Sequence, residues 1–106
     1  MINKPEYNYL CAWCDGHTPT LHEIVYGSLY RQLSIDYSIQ VPLCNKCHTM
    51  IHHGAKVKKD EMREYFLTIL GLSYHSIMLA YQIGGDRYWL EESTEHRTEI
   101  IKRFMI

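Results

Sequence analysis

Four cysteines stand in two Cys-x-x-Cys pairs, Cys11/Cys14 and Cys44/Cys47, and the second pair runs directly into His48, with His52 and His53 close behind. Thiolates at this spacing suit one closed tetrahedral zinc site, and such a site dictates where two distant parts of the chain must meet. Zn2+ held by Cys11, Cys14, Cys44 and Cys47 is therefore the expected structural cofactor. The chain has 106 residues, 46% of them apolar, which implies one domain with a core small enough to need a staple. The opening stretch from Met1 to Tyr9 has no signal-peptide character, and no apolar run approaches the roughly 20 residues that span a bilayer. The expectation is a cytoplasmic protein with no membrane partner, where thiols stay reduced and open to metal rather than paired as disulfides. A thioredoxin-like use of one pair would leave the other unexplained.

The formal net charge is −1. Four thiolates contribute −4 and one zinc ion +2, which takes the total to −3, and a second divalent ion returns it to −1. A grip on phosphate must then come from a local patch and from metal, and long-range attraction to DNA should be weak.

The segment Thr18 to Tyr26 reads as a strand entered through Pro19 and ended by Gly27, with β-branched and aromatic residues in it. Leu29 to Ser38 has no clear period and reads as a loop with room for one helical turn. Ile39 to Leu43 alternates apolar and polar and reads as a second strand pairing with the first, with Pro42 at an edge or at its end. A short helix follows from Asn45 or Lys46, and Gly54 stops it. On that helix His48 and His52 lie four apart and share a face, whereas His53 points about 100° away.

Strand, loop, strand and helix, bracketed by the two cysteine pairs, with histidines on the first strand and the helix, resembles the HNH nucleases. Leu21-His22-Glu23-Ile24 is similar to the family's first element and Leu43-Cys44-Asn45-Lys46-Cys47-His48 to its last. Tyr26-Gly27-Ser28, Arg31-Gln32-Leu33-Ser34 and His52-His53-Gly54 resemble the wording of small HNH-like proteins common in bacteriophage genomes. The resemblance covers about Cys11 to Gly54. It implies an α+β fold in which a zinc-stapled ββα-metal core over residues 10–55 carries a helical C-terminal cover over 56–106, within one domain spanning 1–106. It further implies a metal-dependent endonuclease that hydrolyses DNA phosphodiester bonds, leaves 5′-phosphate and 3′-hydroxyl ends, and works in a bacterial host cytoplasm if phage-encoded.

Carried over residue by residue, the resemblance makes His22, His48 and His52 the ligands of a catalytic Mg2+ or Mn2+, with His53 as the alternative to His52. Glu23 then stands where the family's general-base histidine stands. A glutamate there, with an unperturbed pKa of about 4.3, would need burial to serve as a base near pH 7. In the other register His22 is the base, and His48 and His52 hold the metal without it. In a regular strand His22 and Glu23 face opposite sides, so both can serve one site only where the strand ends or bulges. No asparagine lies between the strand and Leu43 to steady the base, and Ser34 and Gln40 are substitutes by proximity alone. These departures keep a second reading open, a catalytically inactive zinc module that binds nucleic acid or inhibits a host protein. Arg31, Lys56, Lys58 and Lys59 are the candidate phosphate contacts, and each would serve equally as ordinary solvated charge. His17, His75 and His96 read as surface or packed residues.

In the second half, Met62, Tyr65, Phe66, Ile69 and Leu70 form a helical stripe within Lys59 to Leu70, ended by Gly71. Ser73 caps a second helix to about Ile83, with Ile77, Met78 and Tyr81 facing the first. Gly84-Gly85-Asp86 is a turn, and a last helix from about Glu92 turns Ile100, Ile101 and Phe104 inward, with Glu99 and Arg103 four apart outside. A helix-turn-helix over 59–83 lacks the basic and amide side chains that read base edges. Nine tyrosines could stack on bases, pack helix faces or line a homodimer surface.

Overall fold

The computed structural model describes residues 9–106; the Met1–Asn8 part of the leader reading lies outside the described residues. The protein is a mixed α+β fold, with two small antiparallel sheets and five helices among the described residues. β1 (Tyr9–Leu10) pairs with β2 (His17–Thr18), and β3 (Leu21–Glu23) pairs with β4 (Gln40–Pro42). α1 (Arg31–Asp36) lies between β3 and β4, and α2 (Asn45–His53), α3 (Lys56–Ile69), α4 (Tyr74–Tyr81) and α5 (Tyr88–Lys102) follow. No helix among the described residues is long and apolar enough to cross a membrane.

The single strand expected over Thr18–Tyr26 is two strands in different sheets. Pro19 has no N–H to continue a ladder, and the Thr18 hydroxyl takes over the local bonding. Thr18 Oγ1 donates to the Leu43 carbonyl at 2.9 Å, and the Thr20 N–H reaches it at 3.4 Å. The chain therefore leaves its pairing with β1 at Thr18 and joins β4 at Leu21, with Leu21 opposite Pro42, His22 opposite Val41 and Glu23 opposite Gln40. The Ile24 N–H to Ile39 carbonyl bond, 3.1 Å, extends this pairing past the strand ends.

The stretch expected to be a loop contains α1. Its helical period is hidden because the one fully buried position on it is a serine, Ser34. Ser34 Oγ donates to the Val25 carbonyl at 2.6 Å and lies 3.1 Å from the Tyr81 hydroxyl, so the buried hydroxyl is satisfied at both ends. α2 runs between the expected limits, with the Gly54 N–H bonded to the Met50 carbonyl at 2.8 Å.

Ile24, Ile39, Val41 and Leu43 from the β3–β4 region pack with Ile51, Met62, Phe66, Leu67, Ile77, Leu90 and Ile101 from the helices in one apolar cluster. α3 starts at Lys56, three residues before the expected start, so Lys56, Lys58 and Lys59 lie in its first turns. Tyr65, expected inside, is half exposed and packs its ring edge-on to Trp13, 5.4 Å between centroids. Ser73 caps α4 as expected, its Oγ accepting from the Ser76 N–H at 3.2 Å. α5 begins four residues before Glu92, where Asp86 Oδ1 accepts from the Tyr88 N–H at 3.0 Å. Glu99 pairs with Lys102 at 3.1 Å rather than with Arg103. Arg97, which shares the inward face with Ile100, Ile101 and Phe104 but whose charge alone would leave it outside, is 1% exposed. Its guanidinium donates to the Tyr37 and Leu90 carbonyls and to Ser93 Oγ, and so ties α5 to the end of α1.

Candidate metal centre and histidine cleft

The loop after β1 brings the first two cysteines together. The Cys11 N–H bonds the Gly16 carbonyl, the Asp15 N–H bonds the Cys11 carbonyl at 3.0 Å, and Asp15 takes the left-handed conformation at φ 64°. The other pair opens α2, with Cys44 at the N-cap and Cys47 in the first turn. Ala12 N–H to Pro42 carbonyl, 2.8 Å, holds the loop against β4 and so against the start of α2.

All four sulfurs lie within 4.8 Å of one another. A tetrahedral zinc with bonds of about 2.3 Å sets its sulfurs about 3.8 Å apart, and Cys14 Sγ and Cys44 Sγ are 3.6 Å apart. The cluster could hold a metal such as zinc with little rearrangement. Cys11 and Cys47 are buried and Cys14 is exposed, so the cage is closed on its protein side. The Cys47 backbone N–H brings the Cys44 thiol down to about 7, with desolvation opposing it; burial pushes the Cys47 thiol up. Cys44 is thus the thiol of the cluster most readily ionised near neutral pH, the form that binds metal.

The histidines form a separate cluster on the other side of α2's first turn. The His22 and His48 rings stack at 3.7 Å between centroids, and His48 meets His52 edge-on at 4.5 Å. His53 is exposed, with its ring 6.3 Å from that of His52. Of the two alternatives, the residue gathered with His22 and His48 is His52. Burial, followed by the charge of His48, lowers the affinity of both His22 and His52 for protons. Near neutral pH both rings are thus mainly neutral, with lone pairs open to a metal or a proton.

These rings line a cleft of about 410 Å³ together with Glu23, Tyr26 and Arg31. His22 and Glu23 both reach it although they are neighbours on a strand. β3 is only three residues long, and Leu21, His22 and Glu23 all border the cleft. Both Glu23 oxygens are hydrogen-bonded: Oε1 accepts from Arg31 Nε at 2.9 Å and Oε2 from Gln40 Nε2 at 3.2 Å. Ser34, the other substitute for the missing asparagine, is buried on Val25 and Tyr81.

Sequence reasoning missed Thr20 and Tyr26. Thr20 Oγ1 lies 3.1 Å from His22 Nε2, two residues away on the same side of the chain, a spacing that period-two reading could have offered. The Tyr26 ring meets His52 at 4.5 Å, and nothing in the sequence signals that. The lysines are placed elsewhere. Lys56 pairs with Asp60 at 2.8 Å and Lys58 with Glu61 at 2.9 Å along α3, and Lys58 also lies 5.4 Å over the Trp13 ring. Neither they nor Lys59 line the histidine cleft.

The donor chemistry separates the two clusters. Among the described residues the four sulfurs are the one group whose donor atoms lie close enough together to hold a metal, and they suit zinc; the three imidazoles meet ring to ring, and of the two ions expected there Mn2+ fits nitrogen better than Mg2+, which prefers oxygen. No family model, no curated protein and no solved structure matches this chain.

Proposed function

We propose that the protein is a metal-dependent nuclease of the HNH type, stapled by zinc at the cysteines and cutting DNA phosphodiester bonds at the histidine cleft. The observation that carries this reading is the gathering of His22, His48 and His52, from β3 and α2, at one open cleft beside the Arg31 guanidinium. The chemistry that a divalent ion on these rings supplies when bound is charge neutralisation at a nonbridging phosphate oxygen and at the leaving 3′ oxygen. The chain's own residues do the rest. Arg31 draws in the phosphate, Tyr26 offers a face for a base or sugar, and a neutral imidazole or the Glu23 carboxylate accepts the proton of the attacking water.

Conversion of supercoiled plasmid by the zinc-loaded protein in Mn2+, Mg2+ and EDTA, with His48→Ala alongside, tests it. Metal-dependent nicking that the substitution abolishes supports the nuclease. A folded, zinc-loaded protein that cuts in no metal would turn the reading to a catalytically inactive module that binds nucleic acid or inhibits a host protein. The observation favouring that second reading is the engagement of both Glu23 oxygens by Arg31 and Gln40.

A further inference from the structure

Glu23 stands at the position that the nuclease reading leaves most open, and its surroundings give it a definite task. Its side chain is 15% exposed whereas that of Arg31 is 69% exposed, so the carboxylate is the inner partner and the guanidinium the outer one. Arg31 spends only its Nε on Glu23. Both terminal nitrogens, with four N–H donors in one plane, remain for an anion. The carboxylate in turn is steadied by Gln40, which faces it across the hairpin as its register partner. A chain of three side chains thus runs from β4 through β3 to α1 and ends in a guanidinium at the mouth of the histidine cleft.

Arg31 also borders a second depression of about 630 Å³, lined by Gly27, Ser28, Gln32 and Ile35. It therefore stands between two adjoining hollows, one of which holds the histidines. A small anion needs only one hollow, while a polymer with regularly spaced phosphates can occupy both and pass its backbone over the guanidinium between them.

We propose that Glu23 and Gln40 are positioning residues that seat Arg31 as a phosphate-binding fork for a polynucleotide backbone, and that Glu23 is not the proton acceptor. This rests on the reading of the cleft as a nucleic-acid site, but it concerns binding and can be tested without cleavage. A general base must present an oxygen to water. Here each Glu23 oxygen already spends one lone pair, one on the guanidinium and the other on the Gln40 amide, and the side chain is only 15% exposed, so the carboxylate is arranged to orient a cation.

The test is fluorescence anisotropy of a labelled DNA duplex with the zinc-loaded full chain in a buffer free of other divalent ions, over a series of salt concentrations. The variants are Arg31→Gln, Glu23→Gln, Gln40→Leu and the double Arg31→Gln/Glu23→Gln, each checked for zinc content and melting temperature. Arg31→Gln should weaken binding about tenfold and lower the salt slope by about one phosphate contact. Glu23→Gln should weaken binding in the same direction with the same loss of slope, although it removes a negative charge. The double variant should be no weaker than Arg31→Gln, because both changes disable one device. Gln40→Leu should give a smaller loss.

If Glu23→Gln tightens binding, as removal of a nearby negative charge would on its own, the proposal is overturned. Cleavage kinetics add a second arm. Glu23→Gln that abolishes kcat while leaving duplex affinity unchanged would make Glu23 the proton acceptor and overturn the proposal without harming the nuclease reading. The expected binding pattern from a protein that never cuts would uphold the fork and sink the nuclease. A wild-type protein that does not bind the duplex overturns the fork.

Discussion

The cysteine cage and the histidine cleft hang from the same helix, yet they are built in opposite ways. The cage gathers four ligands from two ends of the folded segment, with Cys11 and Cys47 buried and the loop backbone hydrogen-bonded around them. The cleft gathers rings from β3 and α2 that are only half-buried and open to solvent across their common face. A closed set of ligands stores folding energy, and an open one leaves room for something to arrive. The difference teaches that one cluster is built to be closed and the other to stay open, although Cys47 and His48 are consecutive residues.

The largest expected effect breaks the cage. Cys47→Ala should abolish cooperative thermal unfolding, because a structural zinc contributes about 10–16 kcal/mol at neutral pH, as much as a domain's whole stability. Calorimetry with and without a strong chelator checks this; a chelated protein that melts at the wild-type temperature would make the cage an ornament. Next in size is His48→Ala. It should cost the cleft most of its affinity for a second divalent ion, about a hundredfold or more for a lost ligand, while leaving one zinc per chain. Titration calorimetry on the zinc-loaded protein reads the first, elemental analysis the second, and loss of zinc would merge the two clusters into one.

A cap that belongs to neither cluster sets the scale for ordinary stability. Ser73→Ala removes the acceptor of the Ser76 N–H and should cost about 1 kcal/mol by denaturant unfolding, with zinc content and second-metal affinity unchanged. The smallest expected effect is a pH dependence of the cleft. Burial lowers the folded-state proton affinity of His22 and His52 below the usual value of 6.5, so the unfolded chain binds more protons on the acid side. The stability tied to these rings is complete above about pH 6.5 and is lost as pH falls through their lower folded values. The double variant His22→Gln/His52→Gln should flatten the stability profile between pH 5 and 7 when the cleft carries no metal. An unchanged slope would place the acid sensitivity elsewhere, for example in the thiols of the cage.

The parts of this arrangement that are legible in the sequence are those marked by chemistry or by punctuation. The two Cys-x-x-Cys pairs foretold the sulfur cluster, the alternation at 39–43 foretold a strand beside Leu21–Glu23, and Gly54 closed α2. What stayed hidden involves polar groups inside. α1 presents Ser34 where a period would show an aliphatic, and Arg97 lies under the last helix with its charge held by carbonyls and hydroxyls. Thr18 and Pro19 divide what composition joins, because a side-chain hydroxyl took over a backbone role. In the cleft, the shared face of His48 and His52 is readable from helix spacing, and His22 joins them only through the resemblance of Leu21–Ile24 to a known first element. The Glu23–Gln40 partnership was not, since it depends on the register of a hairpin that encloses a helix. The lysines show the converse: a basic run that suggests phosphate is largely matched by carboxylates a turn away on α3.

The adjacency of Cys47 and His48 also bears on how such a protein can change over generations. With the cage and the apolar cluster carrying the fold, positions 22, 23 and 52 can be exchanged while α2 stays where the sulfurs put it. An open cleft mounted this way can change what it receives without the chain ceasing to fold, whereas position 47, buried among the four sulfurs, has no such freedom.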